Sequence, residues 1–492
     1  MSQETEPAFA PVDAGAHGTA SEHQALLNRG LGVGSILFMV VAAAAPLGVV
    51  AANIPIITAV SGSIATAAYF IVAAVILTLF SVGFTVMSKY VKNAGAFYSY
   101  VQAGLGRIPG VGAATLALGS YVVLLIAVNA YTGVAVTNVI AHYTGAHTPW
   151  WMWSLATFTL VGVLGYRDIE LSSKVLGVLL VAETLVVVAL DIGVVAHGGQ
   201  SGLNLEPFTA GAILHGAPGL GIMFALFGFF GFEATAVFRN EAKDPDRTIP
   251  RATYLAVISI GVFYALSAWA VIMGSGTAHA VDAASRDPEN MVLDLAARYV
   301  APIAHDIMQI LLVSSTLACV LSFHNVITRY QFTLGGAGVL PRSLGQVSLK
   351  HRAPSRSSLV VTTVSLVLIG AVALSRIDPV LQAYTWLSGA ATLGIVGLMA
   401  LTCLAVVVFF RRTYHERGAW ETIIAPGLGL VGLLVVLVLV LANYPRLIGD
   451  ATSATVVALL VAAAFVVGTA VGLVMRIKRP DAFRDLVAAP KR

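Results

Sequence analysis

Charge is scarce in this chain. Asp, Glu, Lys and Arg make up 11% of its 492 residues, against about a quarter in an ordinary soluble domain. A share that low cannot cover the two or three soluble domains that such a length would otherwise form. Cysteine is scarcer still. Cys319 and Cys403 are the only two, and both lie inside apolar runs, which excludes a disulfide framework and a thiolate metal site. No G-x-x-x-x-G-K-[ST] loop is present, so the chain by itself is not an ATP-driven pump. No H-E-x-x-H and no paired His/Asp motif falls within the apolar runs, which argues against an enzyme. No cofactor and no metal ion is expected. The first 28 residues are polar and lack a short apolar core with a cleavage site, so no cleaved signal peptide is read. The net charge of +4 does not indicate nucleic-acid binding, because the basic residues sit in short connections between apolar runs.

Apolar length is what the chain has in abundance. Hydrophobic residues are 58% of the total and the mean hydropathy is +0.87. A membrane-spanning helix needs about 20 apolar residues. Twelve segments qualify: 32–60, 62–88, 109–141, 149–166, 170–197, 214–239, 250–274, 302–334, 357–375, 379–410, 420–444 and 452–475. The third and eighth are longer than a bilayer requires and are expected to tilt or to project beyond it. With the N-terminus inside, only Arg286, Arg298, Arg376 and Arg446 of the 28 Lys and Arg residues fall outside. This asymmetry predicts an even number of spans with both ends cytoplasmic. The stretch NAGAFYSYVQAGLG, Asn93 to Gly106, reads as a short interfacial helix. Thr277 to Arg298 reads as a surface loop with some helix. Residues 1–28 and 479–492 read as tails. Arginine outnumbers lysine, and Ala, Val and Gly dominate, a bias of GC-rich bacterial genomes that points to the inner membrane.

Two spans carry defects that lipid does not accept. In Phe224-Ala-Leu-Phe-Gly-Phe-Phe-Gly-Phe-Glu-Ala-Thr-Ala-Val-Phe238, Gly228 and Gly231 interrupt the helix and Glu233 follows at once. Glycine bares backbone groups that need partners, and a charge near mid-bilayer costs roughly 2.5–3.5 kcal/mol. The first span holds Ala42-Ala-Ala-Ala-Pro46-Leu-Gly48, where proline removes a donor and opens the helix. The breaks are five spans apart. Because five is odd, two halves built around them face opposite ways. That predicts an inverted-topology repeat with a binding site near the midplane where the halves meet. The repeats would cover about 29–200 and 210–412, with two additional C-terminal helices at about 420–476, all within a transmembrane domain of 29–478.

Three passages resemble the amino acid–polyamine–organocation superfamily of transporters. They are GFEATAVFRNEAKDPDRTIPRA from Gly231 to Ala252, NAGAFYSYVQAGLG before the third span, and GVLPRSLGQV from Gly338 to Val347 after the eighth. The resemblance implies an all-α integral membrane fold of twelve helices, with a 5+5 inverted repeat of the LeuT type. It implies transport of amino acids, amines or polyamines, with proton or exchange coupling. One departure matters. Many α-amino-acid carriers of the family have Gly-Ser-Gly at the first break, whose N–H groups hold the substrate carboxylate. Pro46-Leu47-Gly48 stands there in this chain. Proline cannot donate, which shifts the expectation toward an amine, a polyamine or a modified amino acid.

The expected substrate site therefore joins the main chain of Ala43, Ala44, Pro46, Leu47, Gly48, Gly228 and Gly231 to the rings of Phe227 and Phe323. By resemblance, these two rings align with substrate-facing aromatics, and Phe230 is a third candidate; an ammonium suits such faces. Glu183, mid-way along the fifth span with no basic residue near it in that helix, is the first candidate to carry a coupling proton, since protonation removes a charge that burial penalises. By resemblance, some proton-coupled relatives place a lysine near this point. Glu233 is the second candidate, in a position the helix dipole favours for a carboxylate; its plainer role is a cap and gate bond. Asn129, Ser314, Ser315 and Thr316 are expected to bond neighbouring helices. His324 and Arg329 read as interface anchors or inner-gate partners, and Asp191 and His305 as solvated. Glu241, Lys243, Asp244, Asp246, Arg247 and Arg251 form a charge cluster, stiffened by Pro245 and Pro250, that is either a solvated loop or an inner gate. The predicted function is a secondary active transporter working by alternating access, proton-coupled, with small molecule, proton and bilayer as its partners. The alternatives are an exchanger of the same family or a non-transporting membrane sensor. A channel would need a continuous polar lining, which the scattered polar residues do not supply.

Overall fold

The computed structural model describes residues 31–91, 96–167, 173–237, 242–348 and 353–486. The predicted N-terminal tail and Glu241 of the charge cluster lie outside these residues. Each of the twelve apolar segments contains helix among the described residues. The first span is split: α1 (Val33–Ala43) stops, and α2 (46–61) resumes at Pro46 with a wide π turn at Val49–Asn53. Next come α3 (Thr66–Tyr90), the short α4 (Ala96–Leu105), α5 (Arg107–Thr144), α6 (Trp150–Arg167) and α7 (Ser173–Ala196). The sixth span is split too, into α8 (Pro218–Phe227) and α9 (Ala234–Val237). After α10 (Pro245–Ser275) come two short helices, α11 (Ala280–Arg286) and α12 (Met291–Tyr299). The chain closes with α13 (Pro302–Gly336), α14 (Ser355–Ser375), α15 (Pro379–Arg412), α16 (Trp420–Ile448), α17 (Ala451–Lys478) and α18 (Pro480–Asp485).

Ten spans among the described residues are long and apolar enough to cross a membrane. The other two of the predicted twelve fall short for visible reasons. α6 opens on Trp150, Trp151 and Trp153 and ends on Arg167, which lowers its hydropathy. The sixth span is cut at Gly228, leaving α8 as a ten-residue apolar helix. α5 and α13 run to 38 and 35 residues. At about 1.5 Å per residue they exceed a hydrocarbon core of about 30 Å.

Helical periodicity decides which face of each span meets the protein. On α7, Val178, Leu185 and Ile192 recur every seventh residue and are exposed. Leu180, Glu183, Val187, Leu190 and Val194 form the opposite, buried stripe. Glu183 therefore points into the protein and away from the lipid face. Where helices cross closely, small residues replace apolar bulk. A Cβ on Gly133 of α5 would lie 2.5 Å from the Trp150 carbonyl oxygen and closer still to the Ser154 hydroxyl. The same crossing is bonded both ways: Asn129 Nδ2 donates to the Ser154 carbonyl at 3.0 Å, and Ser154 Oγ donates to the Asn129 carbonyl at 3.0 Å.

Several expectations need correction. Pro245 and Pro250 do not stiffen a loop. Pro245 is the first residue of α10, where a missing N–H is harmless, so Asp246, Arg247 and Arg251 ride on the first turns of that helix. Asp191 is not freely solvated, because Ser267 Oγ of α10 donates to it at 2.7 Å. The stretch 277–298 is more than a surface loop, since α12 buries Val292, Leu293 and Ala296. The start of the C-terminal tail is held: Arg107 donates to the carbonyls of Leu486 and Arg484 at 2.9 and 3.1 Å, and its guanidinium lies 5.8 Å from the Phe483 ring.

The α5–α6 crossing yields a contrast within one helix. Gly133→Val is expected to destabilise the detergent-solubilised protein by about 1–3 kcal/mol through overpacking. Gly119→Ala, where nothing lies within 4 Å of the added carbon, should leave the melting temperature unchanged or higher. Equal melting temperatures for the two variants would contradict the close approach.

Candidate functional site

The two broken spans meet. Ala45 takes up φ 47° and ψ 70° between α1 and α2, a left-handed conformation that costs a non-glycine residue roughly 1–2 kcal/mol. Pro46 then starts α2, so its missing N–H leaves no gap in the ladder. The break thus sits at Ala44–Ala45, inside the predicted Ala42–Gly48 stretch and just before Pro46. In the sixth span the chain leaves α8 through tight turns and passes Gly231 at φ 109°, which only glycine adopts readily. Asn53 Nδ2 of α2 donates to the Phe224 carbonyl of α8 at 2.8 Å. Tyr264 Oη of α10 donates to the Ala44 carbonyl at 3.3 Å, covering part of the first break. Gly228 has no side chain to keep the elements apart: a Cβ there would lie 3.2 Å from both Val49 and Phe70.

A cavity of about 50 Å³ lies between these elements, α5, α13 and the start of α15. Of the predicted site residues, Ala44, Gly48, Phe227 and Phe323 line it, as does Phe230. Pro46, Leu47, Gly228 and Gly231 are near but not in its wall, and Ala43 ends α1 behind it. Sequence reasoning missed Asn53, Tyr131, Cys319 and Tyr384 as lining groups. Asn53 gave a signal, being the lone amide in an apolar span. The two tyrosines gave none, because only the packing of α5 against α15 brings them together. Asn53 is fully buried and its Oδ1 has no hydrogen-bond partner.

Aromatic rings close the cavity on both sides. Toward α12, Tyr131 and Tyr384 have centroids 5.2 Å apart, and Phe227 and Tyr384 6.1 Å apart. Toward α4, Tyr121 contacts Phe323 and Tyr330, at 6.1 and 5.8 Å, and Tyr330 contacts Tyr98 at 5.7 Å.

The two candidate coupling acids lie outside the cavity wall and differ in surroundings. Glu233 belongs to the α4-side layer. Tyr121 Oη donates to its Oε1 at 2.5 Å and the Gly231 N–H donates to its Oε2 at 2.9 Å. It ties the sixth-span break to α5. Glu183, 4% exposed, lies behind the first break. Ser315 Oγ of α13 donates to it at 2.8 Å, and the backbone N–H of Leu47, in the first turn of α2, faces it. No lysine or arginine pairs with either acid among the described residues. Ser314 and Thr316 bond carbonyls of their own helix, and Thr316 also lines the cavity. His324 Nε2 meets Thr362 Oγ1 of α14 at 3.0 Å, a helix-to-helix bond, and Arg329 is exposed. His305 is half-buried beside His142 and Asp306 on the α12 side.

Asn53→Ala deletes the cross-link between the broken spans. It is expected to lower stability by about 1–3 kcal/mol, read as a fall in the melting temperature of the purified protein. A variant as stable as the wild type would show that the link is dispensable.

Comparison with known proteins places this geometry among carriers. Residues 31–471 match the family described as amino acid permease. The chain is 24% identical over 322 residues to the low-affinity putrescine importer PlaP of Escherichia coli K12, covering 63% of this chain and 67% of that protein. It is 26% identical over 377 residues to the L-asparagine permease of the same organism, covering 72% of each. It is 30% identical over 236 residues to the lysine-specific permease LysP of Lactococcus lactis subsp. cremoris, covering 47% and 43%. The fold is similar to that of MhsT, solved in complex with L-phenylalanine, at a TM-score of 0.56 and 14% identity, over 82% of this chain and 98% of that one.

Proposed function

The chain belongs to the amino acid permease family, and from that premise we propose that it is a proton-coupled carrier of organic amines working by alternating access. One observation carries the substrate class. The Leu47 N–H, a donor at the first break suited to a substrate carboxylate, faces Glu183. A substrate without a carboxylate does not need it. The remaining wall suits an ammonium on an apolar body: the rings of Tyr131, Phe227, Phe230, Phe323 and Tyr384 for cation–π contact, and the unpartnered Asn53 Oδ1 as an acceptor. The putrescine importer among the similar proteins fits this reading; the asparagine and lysine permeases leave room for amino acids.

In this proposal the twelve helices form two inverted repeats of five with two further helices. The N-terminus lies inside and the carrier sits in the bacterial inner membrane, with the α4 side cytoplasmic and the α12 side outside. Glu183 couples the proton. As a carboxylate it caps the start of α2, where the helix dipole favours an anion, and holds α2 against α7 and α13. Protonated, it accepts more weakly and loosens α2 from that frame. The proton state thereby biases the equilibrium between the two states, and substrate movement is coupled to it because substrate binds the same opened break.

Both parts can be tested on purified carrier in proteoliposomes. Putrescine and other amines are expected to raise the melting temperature more than lysine or asparagine at equal concentration; a larger shift with the amino acids would refute the substrate class. Glu183→Gln is expected to retain counterflow of labelled substrate but to lose accumulation driven by an inward proton gradient. If the variant still concentrates substrate in response to the gradient, Glu183 is not the coupling group.

A further inference from the structure

A second recess lies beyond the α12-side aromatic layer. Its wall comes from α5, from the segment that starts α12, and from α13, and it shares Tyr131 with the central cavity. Glu289 and Gln309 both line it. Asn138 Nδ2 donates to Glu289 Oε2 at 2.7 Å, which fixes the carboxylate in place. Gln309 is 4% exposed, and its Oε1 has no hydrogen-bond partner. Among the described residues no lysine or arginine pairs with Glu289, while Asp287 and Asp378 add negative charge around it. Burial pushes the Glu289 carboxyl up from its ordinary value. The recess is thus rich in acceptors, negative, and without a cation of its own.

We propose that Glu289, Gln309 and the Tyr131 ring form an outer binding site for a primary ammonium, occupied before the substrate passes to the central cavity. The chemistry is specific to that class. An ammonium brings three donors in tetrahedral array. One meets the free Glu289 oxygen, a second meets Gln309 Oε1, and the charge rests near the Tyr131 ring. A carboxylate-bearing zwitterion would face Glu289, Asp287 and Asp378 with its own negative end. Because Tyr131 belongs to both walls, a rotation of one ring hands the ammonium from the first site to the second. The inference rests on the amine reading above and adds a selectivity step to it.

The test uses full-length carrier in proteoliposomes and labelled putrescine added outside. In Glu289→Gln and in Gln309→Leu, KM is expected to rise roughly ten- to a hundredfold with little change in maximal rate, and Glu289→Asp should recover part of the loss. The KM effect of Glu289→Gln should shrink as ionic strength rises, because partly exposed charge attraction is screened. An unchanged KM in Glu289→Gln, with uptake intact, overturns the outer site and leaves the amine reading standing. Absence of both uptake and thermal stabilisation by putrescine in the wild type overturns both. Stabilisation by sodium or potassium that depends on Glu289, with none by putrescine, assigns the recess to an inorganic cation and overturns the ammonium site.

Discussion

A helix that loses its ladder inside hydrocarbon must find partners for the bared groups, and here the two broken spans find them partly in other helices and partly in a side chain of the break itself. Asn53 of the first span donates to the Phe224 carbonyl of the sixth. Tyr264 covers the Ala44 carbonyl, and Glu233 takes the Gly231 N–H. The left-handed Ala45, the positive φ of Gly231 and the bare Cα of Gly228 are tolerable only because neighbouring elements fix the chain on every side. The central cavity is what remains between the pieces. Its aromatic layers follow from α5 packing against α15 on one side, through Tyr131 and Tyr384, and against α13 on the other, through Tyr121, Phe323 and Tyr330.

The two buried acids are held differently. Glu233 is locked between Tyr121 and the sixth-span turn, so it reads as a brace within the α4-side layer. Glu183 reaches from a helix with one lipid-facing side toward the start of a half-helix, and its hydrogen-bond partner, Ser315, belongs to α13. An acid that bridges elements can report its charge state as a change in their separation. One fixed between its partners has less freedom to do so.

The fold was legible because lipid imposes strong rules. Length and hydropathy locate spans within a few residues, and Gly228, Gly231 and Pro46 mark breaks because those residues have few other uses in a helix. The first break falls inside the Ala42–Gly48 stretch, and Pro46 is the first residue after it, since proline is comfortable at a helix start. The cavity wall was read only in part. Ala44, Gly48, Phe227 and Phe323 lie near the breaks, where the argument pointed. Tyr131 and Tyr384 lie in other spans, and an apolar helix does not announce which of its faces turns inward. The Leu47–Glu183 contact was beyond reach for the same reason. It depends on the rotation of α7, and in that helix both faces are apolar.

The strand-like contact at the α4 face remains to be weighed. Leu31, just before α1, pairs in parallel with Ala242, just before α10, and the Lys243 N–H donates to the Leu31 carbonyl at 3.0 Å. This fastens the base of the first span to the far end of the sixth by peptide groups alone. Such a clasp is indifferent to side-chain identity, so the neighbouring charged residues can drift in evolution without undoing it. It is also directional and brittle: a small shear between the two segments releases the bond at once, where a cluster of flexible ion pairs would stretch and follow. Proline in place of Lys243, lacking the donor, would remove it outright.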